Sequence, residues 1–148
     1  MARAKDFHDL IVWQKAMLLA RLVYAATEGF PKSETFGLRS QIRRAVVSIA
    51  ANIAEGHGRL SDLQFRHFLG NARGSLSELQ TEIELAHDLK MLSAESLEAL
   101  MGCSREVARL LNGLIASMPG GSVTQPNSQK ITNSASSANN ASSAQRPL

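Results

Sequence analysis

LRSQIRRAVVSIAANIAEGHGR, residues 38–59, is the stretch on which the fold turns. Leu38, Ile42, Val46, Ile49 and Ile53 recur at spacings of four, four, three and four, the period of one face of an α-helix. That apolar stripe needs a core to face. Gln41, Arg44, Ser48, Asn52 and Glu55 recur at three, four, four and three, so a second, wholly polar stripe runs along the same helix. Its regularity predicts a hydrogen-bonding partner, either a neighbouring helix or another copy of the chain. Gly56, His57 and Gly58 then predict the stop and turn.

Upstream, a polar lead ends at His8, and Asp9 is expected to cap a first helix running to about Thr27. Leu10, Trp13, Met17, Ala20 and Tyr24 read as its core stripe. Ile11, Val12, Leu18, Leu19, Leu22 and Val23 lie off that stripe, which predicts a second set of neighbours that other chains can supply. Gly29, Phe30 and Pro31 end the helix. Phe30 is expected to fold back over the bundle end, and Ser33 or Thr35 to cap the second helix.

Downstream, Ser61 to Gln64 match the S-x-x-Q capping box and open a third helix. Its stripe is Phe65, Phe68, Ala72, Leu76, Leu79, Ile83 and Ala86, ending near Lys90. Gly70 and Gly74 lie inside it, each costing about 1 kcal/mol relative to Ala, and close approach of a neighbouring helix is the expected return. Ser93 caps a fourth helix with the stripe Leu97, Leu100, Ser104, Val107, Leu111, Leu114 and Met118, stopped by Pro119 and Gly120. The prediction is an all-α, antiparallel up-down-up-down four-helix bundle over residues 1–118. Residues 119–148 are nearly all Ser, Asn, Ala, Gln, Thr and Pro. They offer too little burial to offset ordering, which predicts a disordered C-terminal tail.

A chain of 148 residues can bury one core without metals or disulfides. Cys103 is the only cysteine; it excludes an intramolecular disulfide, fits a cytoplasmic location and reads as a small buried residue. Leu10 to Ala26 is interrupted by Gln14, Lys15 and Arg21, which argues against a membrane span or a signal peptide. Of the formal charge of +3, Lys130 and Arg146 in the tail account for two. Residues 36–75 carry six arginines against Glu55 and Asp62, whereas residues 76–100 carry six acids against Lys90. Such asymmetry points to a basic patch or to charge pairing between subunits.

Glu84-Leu-Ala-His87 is one Glu-x-x-His motif of the kind that carboxylate bundles use in pairs to hold two metal ions. His8, His57 and His67 lack a Glu three residues earlier, so the motif reads as a surface pair, with no metal, cofactor or catalytic residue assigned. Gly56-His57-Gly58-Arg59 lacks the lysine of a phosphate-binding P-loop. The expectation is a protein that is not an enzyme. Arg39, Arg43, Arg44, Arg59, Arg66 and Arg73 are the candidate nucleic-acid contacts, because phosphate binding releases counterions and needs clustered cations. The competing reading is architectural: across the hairpin Arg39 reaches Glu78 or Glu82, and Arg43 or Arg44 leans towards Glu78. Asn52 is expected to bond the third helix or another subunit and to fix register or oligomeric state.

Asp9-Leu10 with Trp13, Gln41-Ile42-Arg43-Arg44-Ala45, Ser48, Asn52-Ile53-Ala54-Glu55-Gly56, Arg59, Phe68-Leu69, Ala72-Arg73-Gly74-Ser75 and Glu78 form a recognisable set. Over residues 6–116 the chain resembles the bacterial four-helix bundle family of the ribosomal RNA intervening-sequence proteins. That family includes the accessory variability proteins of diversity-generating retroelements. The resemblance implies an antiparallel bundle assembled as a ring-like homopentamer, with RNA, DNA or reverse-transcriptase binding in the accessory members. Trp13, Ser48, Asn52, Glu55, Gly74 and Glu78 are then the residues expected to hold the fold or the assembly together. Two functions follow as expectations: an accessory that contacts nucleic acid, and a protein-interaction scaffold whose arginines are consumed by acids.

Overall fold

The computed structural model describes residues 3–119. Four helices account for most of them: α1 (Ile11–Thr27), α2 (Leu38–His57), α3 (Asp62–Asp88) and α4 (Ala94–Ala116). No strand occurs among the described residues, and no helix there is long and apolar enough to cross a membrane. The expected tail lies, from residue 120 onward, outside the described residues.

Two of the four helix starts follow the expected chemistry. The Ser61 hydroxyl accepts from the Gln64 amide at 3.2 Å, and the Ser93 hydroxyl from the Ser96 amide at 3.1 Å. The other two starts differ. Asp9 lies inside a 3-10 turn over Phe7–Asp9 that Asp6 caps, its carboxylate accepting from the His8 amide at 3.0 Å. Leu10 then precedes α1 without a side-chain cap. Before α2 it is Glu34, not Ser33 or Thr35, whose carboxylate accepts from the Leu38 amide at 2.8 Å. The Thr35 hydroxyl is turned back onto the Lys32 carbonyl.

The helix ends are equally specific. α2 runs through Gly56 to His57, and the Gly58 amide donates back to the Ala54 and Glu55 carbonyls. α3 ends with Lys90 in the left-handed region at φ 63°. The Met91 amide there donates to the Ala86 carbonyl at 2.8 Å and the Lys90 amide to the His87 carbonyl at 2.9 Å, the pattern of a Schellman cap.

Ile42, Val46, Ile49 and Ile53 of α2 are fully buried, as their spacing predicts. Phe65, Leu69, Ala72, Leu76, Leu79, Ile83 and Ala86 supply α3, with Leu69 where Phe68 was expected. Leu100, Ser104, Val107 and Leu111 supply α4, and Phe30, in the α1–α2 connection, is buried in the core. For α1 the stripe is corrected. The buried face is Val12, Ala16, Leu19, Val23 and Thr27, while Leu10, Trp13, Met17 and Ala20 are half-buried and Tyr24 is exposed. α1 is apolar almost all round, so several faces share the helical period; packing between α2 and α4 selects one of them. Ile11, Leu18 and Leu22 remain exposed.

Contacts along the seams fix the directions. Ser48 meets Ser75 while Gly56 meets Phe65 and Phe68. Gln80 donates to the Ser104 hydroxyl at 3.1 Å while Arg73 donates to Asn112 at 3.3 Å. In both pairs the numbers rise on one helix as they fall on the other, so α2 and α3, and α3 and α4, run antiparallel. The close approach expected at Gly70 and Gly74 is absent among the described residues: a Cβ on either meets none of them within 4 Å. Close approach occurs at Gly56 instead.

Candidate nucleic-acid interface

Arg43 organises one corner of the bundle. From α2 its Nε donates to the Thr27 hydroxyl oxygen at 2.9 Å, and its Nη2 donates to the Tyr24 carbonyl and to Glu28 Oε2, each at 3.2 Å. The guanidinium lies over the Tyr24 ring, 4.4 Å from its centroid. Arg39, one turn earlier, pairs with the same Glu28 carboxylate at 3.4 Å. The last turn of α1 suits this, since its free carbonyls favour a cation. The acids expected to bind these arginines, Glu78 and Glu82, lie on α3. At 100° per residue, Arg39 and Arg43 sit about 140° round the helix from Asn52 and Ser48, which puts them on the α1 flank.

Arg44 is exposed and has no hydrogen-bond or ion-pair partner among the described residues. It lines a groove of about 580 Å³ with Tyr24, Thr35, Arg39, Ser40, Arg43 and Val47. Three guanidinium groups thus line one groove with the hydroxyl-bearing Tyr24, Thr35 and Ser40, and Glu28 lies beside them. An anion such as a phosphate suits this set of donors.

The other three arginines lie elsewhere. Arg59 pairs with Glu55 at 2.8 Å and covers the Phe68 ring at 4.7 Å, about 20 Å along the α2 axis from Arg44. Arg73 faces α4 and Asn112. Arg66 is half-buried on α3. The structure therefore brings together Arg39, Arg43 and Arg44, and not all six.

Along the polar stripe, the Ser48 and Ser75 hydroxyls share a hydrogen bond of 2.9 Å. Asn52 donates to the Ser48 carbonyl at 2.8 Å and to its hydroxyl at 3.0 Å, so it reaches α3 only through Ser48. Glu55, Gly74 and Glu78 are exposed. Trp13 packs edge-on against Phe7 and His8, with centroids at 5.2 and 4.9 Å. On α3 Glu82 is only 7% exposed, and its Oε2 is buried without a hydrogen-bond partner among the described residues. Burial first, then the Glu78 charge and a hydrogen bond to Glu78, push its carboxyl up to about 7.

Among the described residues no three His, Cys, Asp or Glu side chains gather to hold a metal. Burial, and secondarily Glu106, raise the Cys103 thiol above its ordinary value. No local pattern in the sequence marks Tyr24, Thr27 and Glu28 as arginine partners, because they lie at the end of a helix whose register against α2 only tertiary packing fixes. The four-residue spacing of Arg39 and Arg43, off the polar stripe, was the available signal.

A family model described as "23S rRNA-intervening sequence protein" matches residues 8–113. A crystal structure of a protein with unknown function from the S23 ribosomal protein family of Bacteroides thetaiotaomicron superposes with a TM-score of 0.65 and 27% sequence identity. The match covers 70% of this chain and 97% of that one. No curated protein matches the chain.

Proposed function

This chain belongs to the 23S rRNA-intervening sequence protein family, and we propose that it acts as a non-enzymatic, homo-oligomeric accessory that contacts nucleic acid. The observation that carries the reading is the convergence of Arg39, Arg43 and Arg44 with Ser40 and Thr35 on one groove. Arg59, Arg66 and Arg73 are at most secondary contacts in it. The family description, which contains 23S rRNA, supports RNA over DNA as the first ligand to try. A nucleic-acid enzyme such as a reverse transcriptase is a further partner for the same surface, and the cytoplasm is the proposed location.

Assembly, with five copies as the resemblance implies, is supported by the outer face of the α2–α3 hairpin. Gly74 and Glu78 point outward there beside the Ser48–Asn52–Ser75 network. A helix-interior glycine with open space around it has no packing role among the described residues, and close approach of a second copy supplies one. The exposed Ile11, Leu18 and Leu22 add apolar surface for such contacts.

A second reading, a protein-interaction scaffold, draws support from Glu28, which engages both Arg39 and Arg43. Native mass measurement combined with a mobility-shift titration on structured RNA separates the two. The accessory reading predicts that Arg44→Ala weakens the shift at low salt and keeps the mass. Loss of mass with no shift at any salt supports the scaffold.

A further inference from the structure

The groove is not only cationic. Tyr24 is 43% exposed and Val47 49% exposed, and both line it beside the three arginines. Phe36 is 95% exposed and follows Thr35, which forms the rim. A clamp for backbone phosphates alone needs cations and donors, not carbon walls. The Tyr24 ring is also fixed in place. Arg43 covers it at 4.4 Å, and the guanidinium is itself held by the Thr27 hydroxyl and the Tyr24 carbonyl. A rigid, partly open aromatic face next to guanidinium groups matches the way proteins hold unstacked bases.

We propose that the groove takes an unpaired nucleotide, its base against Tyr24 and Val47 and its flanking phosphates on Arg39 and Arg44. The inference rests on the nucleic-acid reading and names its substrate class: loops, bulges and single strands, not continuous duplex. A duplex hides the faces of its bases, so an aromatic wall has nothing in it to stack on. The size agrees, since about 580 Å³ lies within the usual range for small-ligand sites, about 300–1,000 Å³. Glu28 has the complementary role: between Arg39 and Arg43 it repels a phosphate from the inner groove, which leaves Arg44 and the outer edge of Arg39 to the backbone. The distance to Arg59 and the α4-facing position of Arg73 limit each protomer to a short grip.

The test uses the full chain and fluorescence anisotropy at low salt, with labelled RNA and DNA stem-loops and blunt duplexes of matched length. The stem-loops are expected to bind more tightly, and the RNA and DNA arms identify which nucleic acid supplies the nucleotide. Tyr24→Leu is expected to weaken stem-loop binding about tenfold, the effect of one lost base stack, and to leave duplex binding unchanged. Val47→Ala, at a half-exposed position that lines the groove, shifts the ratio in the same direction and serves if Tyr24→Leu fails to fold. Equal binding of stem-loops and duplexes, or variants that weaken both alike, overturns this inference and leaves phosphate contact standing. Failure of every probe to bind overturns the nucleic-acid reading itself.

Discussion

Gly56 lies so close to Phe68 that a Cβ added to it would stand 2.6 Å from the Phe68 Cβ and 2.9 Å from a ring carbon of Phe65. This contact lets the end of α2 and the start of α3 meet almost without separation. Gly56→Ala must therefore move a helix, an overpacking cost of about 1–3 kcal/mol that exceeds the gain of about 1 kcal/mol in helix propensity. Gly74→Ala meets open space and keeps the gain. Urea titration should show the first variant destabilised and the second stabilised by about 1 kcal/mol. If a second copy packs on Gly74, the second variant also loses native mass.

The arginines of the groove differ in what they do for the fold. Arg43 satisfies the fully buried Thr27 and pairs with Glu28, so Arg43→Ala should cost about 2 kcal/mol, as loss of a hydrogen-bonded charge does. Arg44→Ala should stay within about 0.5 kcal/mol of wild type and still weaken RNA binding. Denaturation and binding measured on the same two proteins check both halves.

Glu82 makes stability depend on pH in an unusual direction. Its carboxyl is raised from 4.5 to about 7 by burial and by Glu78, so between those values the folded state binds more protons than the unfolded one. Stability is then full below about pH 4.5 and falls as pH rises through 7. The loss amounts to about 1–2 kcal/mol once solvent screening is allowed for. Glu82→Gln should flatten this slope and be the more stable protein at pH 8. Thermal melts at pH 5 and pH 8 for both proteins decide it.

Lys90 holds a left-handed backbone conformation that costs a side-chain-bearing residue about 1 kcal/mol. The Schellman hydrogen bonds of Met91 and Lys90 survive replacement, so Lys90→Gly should raise the unfolding free energy by about that amount. Calorimetry of the two proteins checks it.

How much of this was legible in the sequence depended on locality. The serine caps of α3 and α4 and the centres of the α2 and α4 stripes follow from spacing within one helix and appear as expected, whereas the stripe ends Leu38, Leu97, Leu114 and Met118 are only half-buried. The α1 face was misread because Leu10–Trp13–Met17 and Val12–Ala16–Leu19 share one period; only the position of α2 and α4 separates them. The arginine partners were misplaced for a related reason, as Arg43 was read against α3 although its angular position already pointed to α1. Gly56 was read as a stop because a glycine near a helix end fits both roles, and only tertiary contact with Phe68 distinguishes them. Glu82 is expected as a partner of Arg39 across the hairpin; with Arg39 on Glu28 of the α1 end instead, Glu82 is buried beside Glu78.

The central claim, that Arg39, Arg43 and Arg44 form a nucleic-acid contact, is tested most directly by the salt dependence of RNA binding. Two phosphate contacts on a single strand, on Arg39 and Arg44, predict that the logarithm of the binding constant falls against the logarithm of salt with a slope of about −1.4 per protomer. Arg44→Ala should reduce that slope by about 0.7. A binding constant that does not change with salt, or a slope that Arg44→Ala leaves untouched, would contradict the account.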